Sequence, residues 1–187
     1  GSDAPEDAED MIRHAQFAVK RAKKSGATEV YQTHAFAIAR EKFGIETELR
    51  RAIESGAMHL GFQPICDLST GRIRAFEALA RWTNEAGVSL SPSDFIPVAE
   101  ESGLIVPLGR WAMETAAKTL ADWDMRAGGN CGVRFAVNLS AIQLQRDAIP
   151  DMLSDTLDRH SLGGDRFTLE LTESAIVSDP DRVAQVM

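Results

Sequence analysis

The sequence predicts an α/β domain built on a mostly parallel sheet with helical cover. Two runs, VRFAVNL and RFTLEL, are nearly continuous in apolar and β-prone residues, as strands buried on both faces are. From Val133 onward the pattern alternates strand, helix, strand, helix. Hydrophobic residues make up 44% of the 187, enough to build a core.

Each element has its own signal. Residues 6–25 place Met11, Ile12, Ala15, Ala18, Val19 and Ala22 on one helical stripe. Acidic residues open that helix, Lys20, Arg21, Lys23 and Lys24 close it, and Gly26 ends it. TEVYQT is a short strand. A second helix covers about 35–56, with Gly44 as a place to bend or restart. HLGFQPICDL is a strand, and its Pro64 suits an edge or a bulge. Asp67 to Gly71 is a turn, and GRIRAFEALARW returns as the second strand of a hairpin.

Ser91, Pro92 and Asp94 are the N-cap, first residue and capping-box partner of a short helix reaching about Ser102. The next helix is long, with Trp111, Ala112, Thr115, Ala116, Thr119 and Leu120 as its buried stripe. Ser140 and Gln143 form a second capping signal after VRFAVNLS. IPDMLSDTLDRHSL is helical and RFTLELTES is a strand. In DPDRVAQVM, Asp179 can cap and Pro180 suits the first turn. The helix it starts has room for only about two turns, which reads as a fragment of a longer domain. The opening Gly1-Ser2 reads as an expression scar.

Composition excludes several functions. The net charge of -8 opposes tracking along a DNA or RNA backbone. A small anionic ligand remains compatible, because a metal ion inverts the local field. No run approaches 18 apolar residues, so no membrane contact is expected within the chain, and no signal peptide is visible. Cys66 and Cys131 form no CxxC pair and read as ordinary small apolar residues of a reducing compartment.

The polar residues on the strands carry the chemistry. Glu77, Leu79 and Arg81 share one strand face by the two-residue period, as do Ala136, Asn138 and Ser140, and Thr168, Glu170 and Thr172. Glu173 has the opposite parity or lies beyond the strand. Such residues ordinarily face solvent. The chemical alternative is a site for a divalent metal, with two carboxylates and an amide oxygen arriving from three strands. Hard oxygen donors of this kind suit Mg²⁺ or Mn²⁺. The four histidines, His14, His34, His59 and His160, do not cluster in sequence, which disfavours zinc. Arg81 can pair with a phosphate through its fork of donors.

From about Phe43 to Met187 the chain resembles the EAL-domain cyclic di-GMP phosphodiesterases. FQPICDLSTGRIRAFEALARW resembles the family's opening hairpin, with the signature at Glu77-Ala78-Leu79 and the following Arg81. SPSDFIPVAEESGLIVPLGRWAMETA resembles its next stretch. FAVNLSAIQL carries the family asparagine at Asn138, and LELTES carries family glutamates at Glu170 and Glu173.

The resemblance implies a TIM-like (β/α)₈ barrel of the EAL type, incomplete in this chain, with its first strand in a hairpin. It implies Glu77, Asn138 and Glu170 as metal ligands and Gln63, Leu79 and Arg81 as ligand contacts. Glu77 then has a catalytic role, and Glu173 braces a catalytic loop. Read without the family, Gln63 is a strand amide satisfying a neighbouring backbone, and Ser140 is a helix cap rather than a nucleophile. The family's double-aspartate loop, lysine, further glutamate and late glutamine have no counterpart here, and a full barrel needs about 250 residues.

Metal-dependent hydrolysis of cyclic di-GMP to linear pGpG in the bacterial cytoplasm is therefore expected of the complete domain. This chain alone is expected to be inactive, and to dimerise, exchange or require its other half. The alternatives are a non-catalytic cyclic di-GMP sensor and a dimerisation module built on the 35–56 helix. Residues 3–33 resemble the last helix and strand of a GGDEF domain, with Gln16 in place of its usual aspartate and no GGDEF signature. Residues 34–57 then connect it to the barrel portion, 58–187.

Overall fold

The computed structural model describes Gln16, Val19 and residues 33–171. The chain divides into two units, residues 1–45 and 46–187. Gln16 and Val19 are helical. The remainder of the expected first helix, TEVYQT up to residue 32, Glu173 and the helix after Asp179 lie outside the described residues. Thr33, expected in a strand, already belongs to a helix.

Helix α1, Thr33–Ser55, runs unbroken through Gly44. A lone glycine weakens a helix but keeps its N–H, so the hydrogen-bond ladder continues past it. Leu49 and Ala52 are its buried residues in the second unit. Strands β1, Met58–Cys66, and β2, Ile73–Thr83, form the expected antiparallel hairpin. Asp67 closes the turn by accepting from the Ser69 hydroxyl and from the N–H groups of Ser69 and Thr70. These bonds, the Ser69 hydroxyl first, hold its carboxyl down at about 2. Pro64 is tolerated because β1 is an edge strand among the described residues.

Strand β3, Ser89–Leu90, pairs with the end of β2. Helix α2, Pro92–Ser102, begins as expected at Ser91 and Pro92. The capping bond comes from Ser93 N–H to Ser91 Oγ at 3.4 Å, with Asp94 in the first turn rather than closing a box. Gly103, at φ 81°, takes the left-handed conformation that ends α2 and lets α3, Ile105–Ala127, start at once. The buried stripe of α3 is Ile105, Leu108, Met113, Ala116, Ala117 and Leu120. Trp111, Ala112, Thr115 and Thr119, expected on that stripe, are only half-buried.

Strand β4, Arg134–Leu139, follows, then α4, Ala141–Arg146, and α5, Ile149–Arg159. A single 3₁₀ turn, Gly164–Arg166, leads into β5, Phe167–Leu171. The sheet order is β1-β2-β4-β5, with β3 beside β2. β2, β4 and β5 are mutually parallel, as the apolar runs predicted, and only β1 and β3 run against them.

One face of the sheet holds the core. Phe62, Phe76 and Phe135 meet Trp123 of α3 at ring separations of 5.6, 5.2 and 5.1 Å. Ala78, Val137, Phe167 and Leu169 continue that layer against Met113, Ala116, Ala117 and Leu120 of α3 and Leu157 of α5. Beneath it, Arg166 clamps Asp124 through two bonds of 2.7 and 2.9 Å and donates to the Val133 carbonyl. Glu114 of α3 takes Arg159 of α5 and His160, the residue just past its end, each at 2.8 Å. Cys131 packs at the core margin, whereas Cys66, expected to be an ordinary apolar residue, is exposed. It ends the hairpin strand at the register shift beside Ile65, away from the helices. Among the described residues no helix is long and apolar enough to cross a membrane.

Candidate functional site

The other face of the same sheet carries the polar residues. Alternation puts Phe76, Ala78 and Trp82 on the helix side of β2, and Glu77, Leu79 and Arg81 opposite them. Cross-strand register extends this set. Gln63 pairs with Glu77, Glu77 with Ala136, Ala136 with Thr168, and Asn138 with Glu170. Gln63, Glu77, Asn138 and Glu170 therefore share one face across four adjacent strands. Gln63 and Asn138 are exposed, while Glu77, Leu79, Arg81 and Glu170 are half-buried.

The tightest contact in this group joins Asn138 to Glu77. Asn138 Nδ2 donates to Glu77 Oε1 at 2.7 Å. Ala78 and Val137 are the last residues of the β2–β4 register, and the next step on each strand brings Leu79 level with Asn138. Glu77 thus reaches diagonally, toward the C-terminal ends of the parallel strands. Arg81 lies farther along the same face. Its Nη1 donates to the Ala80 carbonyl at 3.1 Å, and among the described residues no carboxylate pairs with it. Its stem lies over Gly61, where a methyl group would come within 3.5 Å of Arg81 Cγ and Nε. Glycine at 61 keeps the surface beneath the guanidinium flat.

The donor set is entirely oxygen: two carboxylates and one amide. That fits a hard divalent ion in kind. Among the described residues no three His, Cys, Asp or Glu side chains come together, so Glu77, Asn138 and Glu170 offer part of a coordination shell. Glu173 lies outside the described residues. Among the described histidines, His59 pairs with Arg81 at the far end of the hairpin and His160 is held by Glu114.

Sequence reasoning found only part of what holds the β4–α4 junction. Ser140 and Gln143 make the full capping box, as predicted. Gln143 is 3% exposed and packs where a side chain on Gly109 would otherwise go. Arg110 holds Asp147 through Nε at 2.8 Å and a second bond from Nη2. Arg110's hydrogen bonds keep the Asp147 carboxyl well below the usual carboxylate range against the opposing effect of burial. Ser140 Oγ also donates to Glu100 Oε1 at 2.8 Å. The S-x-x-Q spacing was the only local signal for any of these contacts.

Comparison with known proteins identifies the family and the fold. The family described as EAL domain matches residues 46–187. The chain is 34% identical over 179 residues to the cyclic di-GMP phosphodiesterase PdeR of Escherichia coli, covering 95% of the chain and 26% of PdeR. It is 32% identical over 174 residues to the bifunctional diguanylate cyclase/cyclic di-GMP phosphodiesterase MucR of Pseudomonas aeruginosa, covering 92% of the chain and 25% of MucR. Among solved structures, the PaMucR phosphodiesterase in complex with c-di-GMP superposes with a TM-score of 0.69 at 33% identity, over 76% of this chain and 59% of that one. The chain spans about a fifth to a quarter of the length of the curated relatives it matches.

Proposed function

The chain belongs to the EAL-domain family, and on that premise we propose that the complete domain hydrolyses cyclic di-GMP to linear pGpG, residues 1–187 alone being inactive. The observation that carries this reading is the placement of Glu77, Asn138 and Glu170 on one face of three adjacent parallel strands, with Asn138 already in contact with Glu77. The functions named for PdeR and MucR support it.

The reaction adds water across one phosphodiester bond. A water oxygen bonds to phosphorus, the bond from phosphorus to a ribose O3′ breaks, and O3′ departs with a proton. The product is a linear dinucleotide with a 5′-phosphate. Glu77, Asn138 and Glu170 would hold Mg²⁺ or Mn²⁺ through oxygen. When bound, such an ion supplies Lewis acidity to the phosphoryl oxygens and lowers the pKa of a water.

The other residues bind and orient. Arg81 offers its fork of donors to the phosphate and offsets its charge. Gln63, directly opposite Glu77, presents an amide to the nucleotide. Leu79 supplies an apolar contact between Glu77 and Arg81. Glu173 is assigned to bracing a loop at the site. No protein nucleophile is required, and Ser140 is committed to its helix cap. The same proposal assigns the reaction to the bacterial cytoplasm.

The test is turnover of cyclic di-GMP by the complete domain in Mg²⁺ or Mn²⁺, with residues 1–187 alone alongside and chromatographic separation of the linear product. Turnover lost on adding EDTA and in Glu77→Ala is the expected result. Hydrolysis that survives both would refute the metal assignment. Tight binding of cyclic di-GMP without turnover at any metal concentration would make the protein a sensor.

A further inference from the structure

The backbone pairing of β2 with β4 stops at Ala78–Val137, one residue before Asn138. Past that point β4 remains paired to β5, and toward β2 Asn138 is held by its own bond to Glu77 and by contacts made farther along the chain. Two residues beyond Asn138, the Ser140 hydroxyl accepts the Ile142 N–H at 3.2 Å, and the Ser140 N–H is taken by Gln143 Oε1 at 3.1 Å. The cap is complete with those two bonds. A hydroxyl has one proton to give as well, and Ser140 gives it to Glu100 Oε1 at 2.8 Å, across 40 residues. Capping does not call for this bond, and a hydroxyl-to-carboxylate bond is among the stronger neutral-to-charged kinds.

Glu100 sits on α2, and α2 is seated on β2. Phe95 of α2 is fully buried edge-on against Trp82 at a ring separation of 5.7 Å. Glu100 therefore connects a helix anchored on the Glu77 strand to the end of the Asn138 strand. We infer that Glu100 is a positioning residue for Asn138, fixing through Ser140 the separation of the two metal-holding side chains. This rests on the reading of Glu77 and Asn138 as ligands. Glu100 itself touches neither the ion nor the nucleotide in this account.

The test is the dissociation constant of Mn²⁺ alone, measured by calorimetric titration of the protein, together with the melting temperature without metal. Glu100→Ala is expected to weaken Mn²⁺ binding about tenfold, the scale on which outer partners of metal ligands act. Glu100→Gln should stay within about twofold of the parent, because its amide oxygen accepts the same hydroxyl proton. A lower melting temperature with unchanged Mn²⁺ affinity in Glu100→Ala overturns the inference, since a purely structural role predicts that. Equal weakening in Glu100→Gln and Glu100→Ala overturns it too, because charge would then matter rather than the bond. If Glu100→Ala does not fold, Glu100→Asp, one methylene shorter, replaces it in the same comparison. Asn138→Ala separates the two levels: if it also leaves Mn²⁺ binding unchanged, the ligand assignment itself has failed.

Discussion

Asn138 Nδ2 lies 2.7 Å from Glu77 Oε1, so the amide turns its nitrogen, not its oxygen, toward the carboxylate. Only the oxygen of an asparagine can hold a hard cation. An ion held here would take Oδ1 of Asn138, which the bond to Glu77 leaves free. Asn138→Asp is therefore informative. It removes the donor and puts a like charge beside Glu77. Without metal, the melting temperature should fall. Added Mn²⁺ should raise it by more than in the parent, because the ion offsets the new repulsion. A Mn²⁺-induced shift smaller than the parent's would argue against a shared ion.

Arg81 is predicted to act on the phosphate of the nucleotide. A charge-assisted hydrogen bond is worth about 1.5–3 kcal/mol, which is about 10- to 150-fold in KM or kcat/KM. Arg81→Ala should show that loss with the melting temperature unchanged, since its one described bond goes to the adjacent Ala80 carbonyl. Arg81→Lys should recover little of it, because an ammonium lacks the planar fork. Steady-state kinetics on cyclic di-GMP decides this.

Gly109 is predicted to be intolerant for reasons of space. A methyl group there would overlap Gln143 Nε2, and Gln143 is itself buried and committed to the cap at Ser140. Overpacking of this kind costs about 1–3 kcal/mol. Gly109→Ala should lower the denaturation midpoint accordingly. Combining it with Gln143→Ala should restore part of the loss, the signature of two residues competing for one volume.

Acid should unfold the protein partly through Asp124 and Asp147. Arg166's hydrogen bonds draw the Asp124 carboxyl far below its ordinary value, and Arg110 does the same for Asp147. A carboxyl depressed in the folded state binds fewer protons there than in the unfolded chain, so it stabilises above about pH 4. That contribution disappears as pH falls from about 4 toward the depressed values. Asp124→Asn should lower stability at pH 7 and flatten the decline below pH 4. Urea denaturation from pH 7 to pH 2 measures both, and an unchanged acid limb would count against the Arg166 pair.

Strand signals were legible because they are local. Pro64 at an edge, the Asp67 turn and the alternation around Glu77 each depend on a few consecutive residues, and the polar face followed from them. Helix α3 was harder. It is apolar on more than one side between Ile105 and Leu120, so periodicity placed Ala116 and Leu120 correctly but took Trp111, Ala112, Thr115 and Thr119 with them in place of Leu108, Met113 and Ala117. Glu100 was not legible. In AEES it resembles any solvated glutamate near a helix end, and its partner lies 40 residues away.

The division of the sheet into two faces also separates two kinds of inheritance. Along β2, even positions such as Phe76, Ala78 and Trp82 maintain the fold, while odd positions such as Glu77 and Arg81 face away from it. A codon change at an odd position leaves the aromatic layer on Trp123 and α3 untouched. A lineage can therefore change the residues of that face in single steps without passing through an unfolded ancestor, and the scaffold can outlive any one set of them.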